Sequence, residues 1–319
     1  MRLPDLPTLE EAARIVYTAM PPTSQFSWPL LSQHLDAEVW VKHENHTPLG
    51  AFKIRGGLVY IDELKREQPG TSGVIAATRG NHGQSIAFAA QRHSLKAVVV
   101  VPHGNSREKN EAMRARGVEL IEHGTDFQDA LEHANGLAEE RGLHSVPSFH
   151  EALVRGVASY SLELFRAVPD VDRLYVPIGL GSGICGAIAA RQALGLKTEI
   201  VGVVAESAPA YAESFLRTCA VSRTVNSTIA DGMACRVPNE EALEIICQGV
   251  GRVVTVTEDE IRDSMRRIYA ATHNVAEGAG AAAFAAAVQE RARLQGRRVA
   301  VVLTGANVDR NVLSEVLAE

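Results

Sequence analysis

Lys53 is the residue of this 319-residue chain with the most chemistry to offer. It lies in Gly50-Ala-Phe-Lys53-Ile-Arg-Gly-Gly57, flanked by apolar Phe52 and Ile54, with glycines close on both sides. Most lysines are solvated surface groups. A lysine near a buried turn instead loses its proton by desolvation and can form a Schiff base with a carbonyl. A second segment, Ala77-Thr-Arg-Gly-Asn-His-Gly-Gln84, follows an apolar run and opens a helical one. Backbone N–H groups at such a helix start form an anion site. A third, Gly179-Leu-Gly-Ser-Gly183, has the same setting, and its N–H groups and helix dipole suit a dianion. It also contains a dinucleotide-type pattern, Gly181-x-Gly183-x-x-Gly186, with acidic Glu206 20 residues further on. The fourth, Val302-Leu-Thr-Gly-Ala-Asn-Val-Asp309, puts the Thr304 hydroxyl at the end of an apolar run.

Taken together, Lys42-His-Glu-Asn45 and the Lys53 segment resemble the cofactor-lysine motif of fold-type II pyridoxal-phosphate (PLP) enzymes. The resemblance is to the serine/threonine dehydratase and serine racemase group, whose pattern is Lys-x-Glu-Asn followed by Ser-Phe-Lys-x-Arg-Gly. Ala51 replaces the usual Ser. The resemblance implies that Lys53 carries PLP and that Phe52 packs by its ring. It implies that Thr78, Arg79, Gly80, Asn81 and His82 bind the substrate, with Asn81 also beside the 3′-oxygen of the cofactor; Gln84 falls next to them. Gly179, Leu180, Gly181, Ser182 and Gly183 match the loop that cradles the cofactor phosphate. Thr304 matches a Ser that bonds the pyridine nitrogen, and Ala306 replaces a Gly. One PLP explains all these segments, whereas a nicotinamide site leaves the Lys53 and Asn81 segments without a role.

Glu277 matches a family glutamate near the ring; a carboxylate at a helix N-terminus is the alternative reading. Glu206 and Ala210 fall where some family members bind a divalent cation, but Ala212 replaces a ligating Asp. Hard cations want six or more oxygen ligands, so no metal is expected. Arg79 stands where racemases carry an acid/base Ser, and a guanidinium is a poor acid. Elimination needs only the lysine face. An uncharged ring partner such as Thr304 also favours loss of a β-leaving group over a free carbanion.

The expected activity is therefore a PLP-dependent ammonia-lyase. It would convert a 3-hydroxy amino acid of the L-threonine/L-serine type to a 2-oxo acid and ammonia. A bulkier or acidic substrate (phenylserine, 3-hydroxyaspartate or a hydroxyectoine-derived compound) is the alternative within enzymes. A non-catalytic PLP-binding protein is the alternative from another class.

These residues need elements to hold them. Strands are predicted at Gly73–Ala77, Lys96–Val101, Val118–Ile121, Arg173–Ile178, Glu199–Ala205 and Arg298–Leu303. Their continuous apolar runs suit parallel strands buried on both faces. Helices are predicted over Asn81–His93, Ser106–Arg116, Asp126–Arg141, Gly183–Leu194, Thr257–Thr272 and Gly278–Leu294. Thr257 and Glu260 form a capping box. The fold class is α/β, with parallel sheets flanked by helices. The resemblance implies the two-lobed, tryptophan synthase β-like form. Its large PLP-binding domain would comprise residues 1–65 and 148–319, and its small α/β domain residues 66–147.

The chain carries 38 acidic and 32 basic residues, a net charge of −6, which argues against a nucleic-acid partner. No apolar run reaches membrane-span length, and the N-terminus lacks a secretory h-region. Cys185, Cys219, Cys235 and Cys247 show no metal spacing and read as reduced thiols. His43, His46 and His103 read as loop residues. A cytoplasmic homodimer acting on a small amino acid is expected, with no further domain after the last strand.

Overall fold

A computed structural model describes residues 1–225 and 229–318. Among these residues ten strands follow in chain order: β1 (Gln25–Ser27), β2 (Glu38–His43), β3 (Gly73–Ala77), β4 (Lys96–Val101), β5 (Glu119–Glu122), β6 (His144–Ser145), β7 (Arg173–Pro177), β8 (Glu199–Ala205), β9 (Arg252–Val256) and β10 (Arg298–Leu303). They make two sheets. The larger has the order β1-β2-β10-β7-β8-β9 and the smaller β5-β4-β3-β6. Every pairing is parallel except that of β1 with β2.

Helices cover both faces of the larger sheet, which is why its strands read as unbroken apolar runs. On one side Val154, Val157, Ile184 and Ile188 pack against Leu174 and Val176 of β7. On the other, the alanine-rich helix Gly278–Gln289 lies against Tyr175, Val201 and Val301. Its small side chains let it sit close to the strands, and all but its last two residues are buried. The smaller sheet is backed by Lys53–Glu67 and Asn81–Arg92 on one face and Phe127–Arg141 on the other. Among the described residues no helix is long and apolar enough to cross a membrane.

Predicted elements recur within a residue or two, the ordinary uncertainty of helix ends. The capping box is present: Thr257 accepts from the Glu260 backbone while Glu260 accepts from the Thr257 backbone. Two expectations need correction. The helix expected to run to Leu294 stops at Gln289, where Glu290 turns away to bond Tyr175 and Arg252. His43 is not a loop residue. It closes β2, is fully buried and accepts from Trp28 Nε1 at 3.0 Å. Burial holds its pKa down at about 4.

Candidate active site

The carboxyl ends of β3, β7 and β10 open into one cleft between the sheets, the usual location of ligand sites in parallel α/β folds. It encloses about 660 Å³ and is lined by residues from both sides. Phe52, Lys53, Glu277 and Thr304 reach it from the larger sheet's side, as does the whole of Gly179–Gly183. Thr78, Arg79, Gly80, Asn81 and His82 reach it from the smaller. Gln84 is buried behind them and does not line it.

Lys53 is the first residue of the helix Lys53–Glu67. The loop before it is stitched to the end of β10. Ala51 bridges Gly305, and Phe52 N donates to Thr304 O at 3.0 Å. Phe52 stands edge-on to Tyr160, with ring centres 6.1 Å apart. Lys53 keeps some surface toward the cleft, yet its amine is enclosed by protein. Nζ donates to Ser182 Oγ at 3.1 Å. With no carboxylate beside it, desolvation lowers its pKa from 10.5 to about 8.

Gly179–Gly183 runs from β7 into the helix Ser182–Ala193. Gly181 caps that helix at φ 101°, a left-handed conformation that disfavours any side chain. A Cβ there would also lie 2.6 Å from Ala242 Cβ. The turn lines the cleft at the start of a helix, where backbone N–H groups suit an anion.

On the opposite wall Thr78 Oγ1 accepts from Gly80 N (2.9 Å) and Gly83 N (3.1 Å), fixing the turn before the helix Asn81–Arg92. Asn81 Nδ2 donates to Glu277 Oε1 at 2.6 Å, and its Oδ1 accepts from Asn307 Nδ2 at 2.8 Å. Glu277 is the N-cap of the helix Gly278–Gln289, but its side chain does not cap that helix. Its other oxygen lies 3.2 Å from Lys109 Nζ, an ion pair without hydrogen-bond geometry. Burial raises the Glu277 pKa, and Lys109 opposes that rise. Burial works to lower Lys109, but Glu277 and Asp231 outweigh it and raise its pKa. His82 is buried beside this network with Nε2 unpartnered. Burial, then Lys53, depress its pKa to about 3, so it stays neutral. The Thr304 hydroxyl has no protein partner among the described residues. Glu206 lies away from the cleft, exposed at the end of β8, and Ala210 and Ala212 are buried in the helix Ala210–Arg217.

Three cleft residues escaped the sequence reading. Lys109 and Asp231 pair across the cleft at 2.8 Å, and Asn307 buttresses Asn81. Lys109 belongs to a highly charged helix that reads as solvated, so nothing local marks it. Asn307 stands in the quoted Thr304 segment and was open to notice.

A family model described as "Pyridoxal-phosphate dependent enzyme" matches residues 16–305. An L-threonine ammonia-lyase of Thermotoga maritima is 32% identical over 313 residues, covering 98% of this chain and 78% of that protein. A catabolic L-threonine dehydratase of Staphylococcus aureus is 31% identical, covering 97% of this chain and 90% of its own. Among solved structures, threonine deaminase isoform 2 of Solanum lycopersicum superposes with TM-score 0.89 at 28% identity, covering 99% of this chain and 94% of that one. Maize serine racemase superposes with TM-score 0.92 at 25% identity, covering 99% of this chain and 98% of that one.

Proposed function

The chain belongs to the family of pyridoxal-phosphate dependent enzymes, and from that premise we propose that it is an ammonia-lyase acting on a 3-hydroxy amino acid of the L-threonine/L-serine type. The products are a 2-oxo acid and ammonia. The observation that carries this reading is the enclosed Lys53 amine, depressed to about 8 and hydrogen-bonded to Ser182 of the glycine-rich anion turn within one cleft. The names of the relatives from Thermotoga maritima and Staphylococcus aureus support the same chemistry. A likeness to a racemase is weighed against Arg79, whose guanidinium cannot trade protons near neutral pH.

The cleft fits the cofactor. An amine that is neutral in part at physiological pH, a helix-start anion turn and an unpartnered Thr304 hydroxyl match its aldehyde, phosphate and ring nitrogen. Lys53 would tether it, and Phe52 would pack beside its ring. Gly179, Leu180, Gly181, Ser182 and Gly183 would hold the phosphate. Asn81 would meet its 3′-oxygen, Thr304 its ring nitrogen, and Glu277 would lie near the ring. When bound, PLP supplies an electron-withdrawing ring that acidifies the substrate's Cα–H.

The protein groups then act as follows. Thr78, Arg79, Gly80, Asn81 and His82 hold the substrate, with its carboxylate against the backbone N–H groups of their turn. Lys53 takes the Cα proton, a task suited to an amine whose pKa lies near the working pH. Ser182 orients that amine through its 3.1 Å hydrogen bond. The Cβ–O bond breaks and the hydroxyl leaves as water. His82, being neutral, adds no second positive charge beside Lys53. Hydrolysis then returns one water and frees ammonia.

The chain is read as a large domain, residues 1–65 and 148–319, and a small one, residues 66–147. The separate strand sets of the two sheets support this division. A cytoplasmic location and a homodimer complete the reading; the four free thiols support the first. Incubating the PLP-loaded protein with L-threonine and L-serine, and measuring 2-oxo acid and ammonia, tests the activity. Release of both products supports it; the absence of 2-oxo acid from every 3-hydroxy amino acid overturns it.

A further inference from the structure

Resting on the dehydratase chemistry proposed above, but departing from its L-threonine/L-serine-type side chain, we infer that Arg79 selects 3-hydroxy amino acids that carry a second carboxylate beyond Cβ. The cleft is lined by four acidic residues, Asp126, Asp231, Glu277 and Asp309. Each already has a partner. Asp231 and Glu277 share Lys109, Asp126 pairs with Arg236, and Asp309 accepts from Ser106 Oγ and the Glu108 backbone. Arg79 lines the same cleft with no acceptor among the described residues, and its Nε is sealed from solvent without a partner.

Arg79 is half-buried, so its terminal nitrogens keep access to the cleft while Nε does not; it is neither a fully solvated arginine nor a structural one. A surface arginine keeps its N–H groups in water. A structural one has its acceptors built in, as Arg55 has in Glu44, Glu163 and Ser159. A permanent charge left unpaired in a cleft suits an anion that arrives with the ligand, because the planar fork fits a carboxylate. Two ligand anions have their own sites. The α-carboxylate belongs to the turn opening the helix Asn81–Arg92, and the cofactor phosphate to the turn opening Ser182–Ala193. What remains for Arg79 is the far end of the substrate side chain. An aromatic group stacked there would leave Nε–H without an acceptor. A carboxylate takes Nε–H and one terminal N–H together once the side chain turns toward it.

The smallest such substrate is the four-carbon 3-hydroxyaspartate. Its Cα–H and Cβ–O bonds break, a Cα–Cβ double bond forms, and the hydroxyl leaves with one proton as water. Hydrolysis consumes one water, frees ammonia and leaves a four-carbon 2-oxo diacid.

The experiment has a binding arm and a turnover arm. Calorimetric titration of the PLP-loaded protein compares L-aspartate with L-alanine, neither of which has a β-hydroxyl to lose. L-Aspartate should bind at least about tenfold more tightly, and R79S should reduce that preference to about twofold or less. R79K, which keeps the charge but not the fork, should fall between them. Equal wild-type affinities for the two ligands overturn the inference, even if no variant folds. In the turnover arm, kcat/KM for 3-hydroxyaspartate should exceed that for L-threonine, with the ratio lost in R79S. Turnover of L-threonine but not of 3-hydroxyaspartate overturns the inference and leaves the dehydratase reading standing. Turnover of no 3-hydroxy amino acid overturns that reading, and the binding arm still decides the role of Arg79.

Discussion

The pKa of Lys53 governs when the protein can take up its cofactor, because only the neutral amine attacks an aldehyde. Burial sets that pKa at about 8, so the reactive fraction grows as pH rises through that value. Attachment of PLP to cofactor-free protein, followed by absorbance, should accelerate with a midpoint near 8. A midpoint near the ordinary lysine value of about 10.4 would mean that burial does not control it. Lys53→Ala should retain the fold and lose both covalent attachment and turnover; normal turnover by that variant would end the assignment. Thr304 offers a neutral hydroxyl at the end of β10. Thr304→Ala should weaken cofactor retention, measured by dialysis. Thr304→Asp should hold a proton on the ring nitrogen and divert flux toward transamination. Wild-type behaviour in both variants would remove Thr304 from the site. Each of these residues was legible in the sequence, because each sits in a short segment whose neighbours have the right type. Arg79 was legible as an anomaly, but its missing partner was not, since pairing depends on residues far along the chain.

At the scale of elements, the helix that begins at Lys53 is anchored by charges rather than by a cap. Arg55, two residues after Lys53, is fully buried and bonds Glu44 and Glu163, while Lys42 bonds Glu163 at 2.6 Å. Burial alone raises the Glu163 pKa, but Arg55 and Lys42 outweigh it and hold it below the ordinary 4.5. A carboxylate with a depressed folded pKa contributes stability above its unfolded value, and that contribution is lost as pH falls through the folded one. Glu163→Gln leaves buried cations short of a partner and should cost about 3–5 kcal/mol by chemical denaturation. It should also flatten the loss of stability in acid. A change below about 1 kcal/mol would show the cluster to be no more than a surface-type pair. Lys42, Glu44 and Arg55 stand in the quoted motifs, whereas Glu163 had no local signal. The helices Lys53–Glu67 and Glu151–Ala167 were missed for a related reason. The first contains Gly56 and Gly57 and the second Gly156, and glycine reads as a breaker. Here they let two helix backbones touch: a Cβ on Gly156 would lie 2.3 Å from Arg55 O. Apolar strands and capped helices carry their signal locally, and a close helix crossing does not.

Across the whole molecule, the two sheets meet through polar bridges spanning the cleft. Lys109 reaches Asp231 and Glu277, Asn81 reaches Glu277 and Asn307, and Ser106 reaches Asp309. Lys109→Met should leave each sheet intact and loosen the pair. Hydrogen exchange should then speed up in the segments facing the cleft and stay unchanged in β4 and β8. Uniform acceleration everywhere would mean that Lys109 supports global stability instead. The position of β10 has a consequence for synthesis. It is translated after the nine other strands, yet it lies between β2 and β7. Until it emerges from the ribosome, those two strands expose facing edges with no neighbour, an invitation to mispairing. The small sheet, complete by Ser145, is free to form much earlier. Nascent chains arrested before Arg298 should therefore resist protease across residues 73–145 while being cut in the larger sheet. Because Thr304 and Gly305 follow β10 directly, the cleft cannot take its full set of lining residues until that late strand has slotted into place.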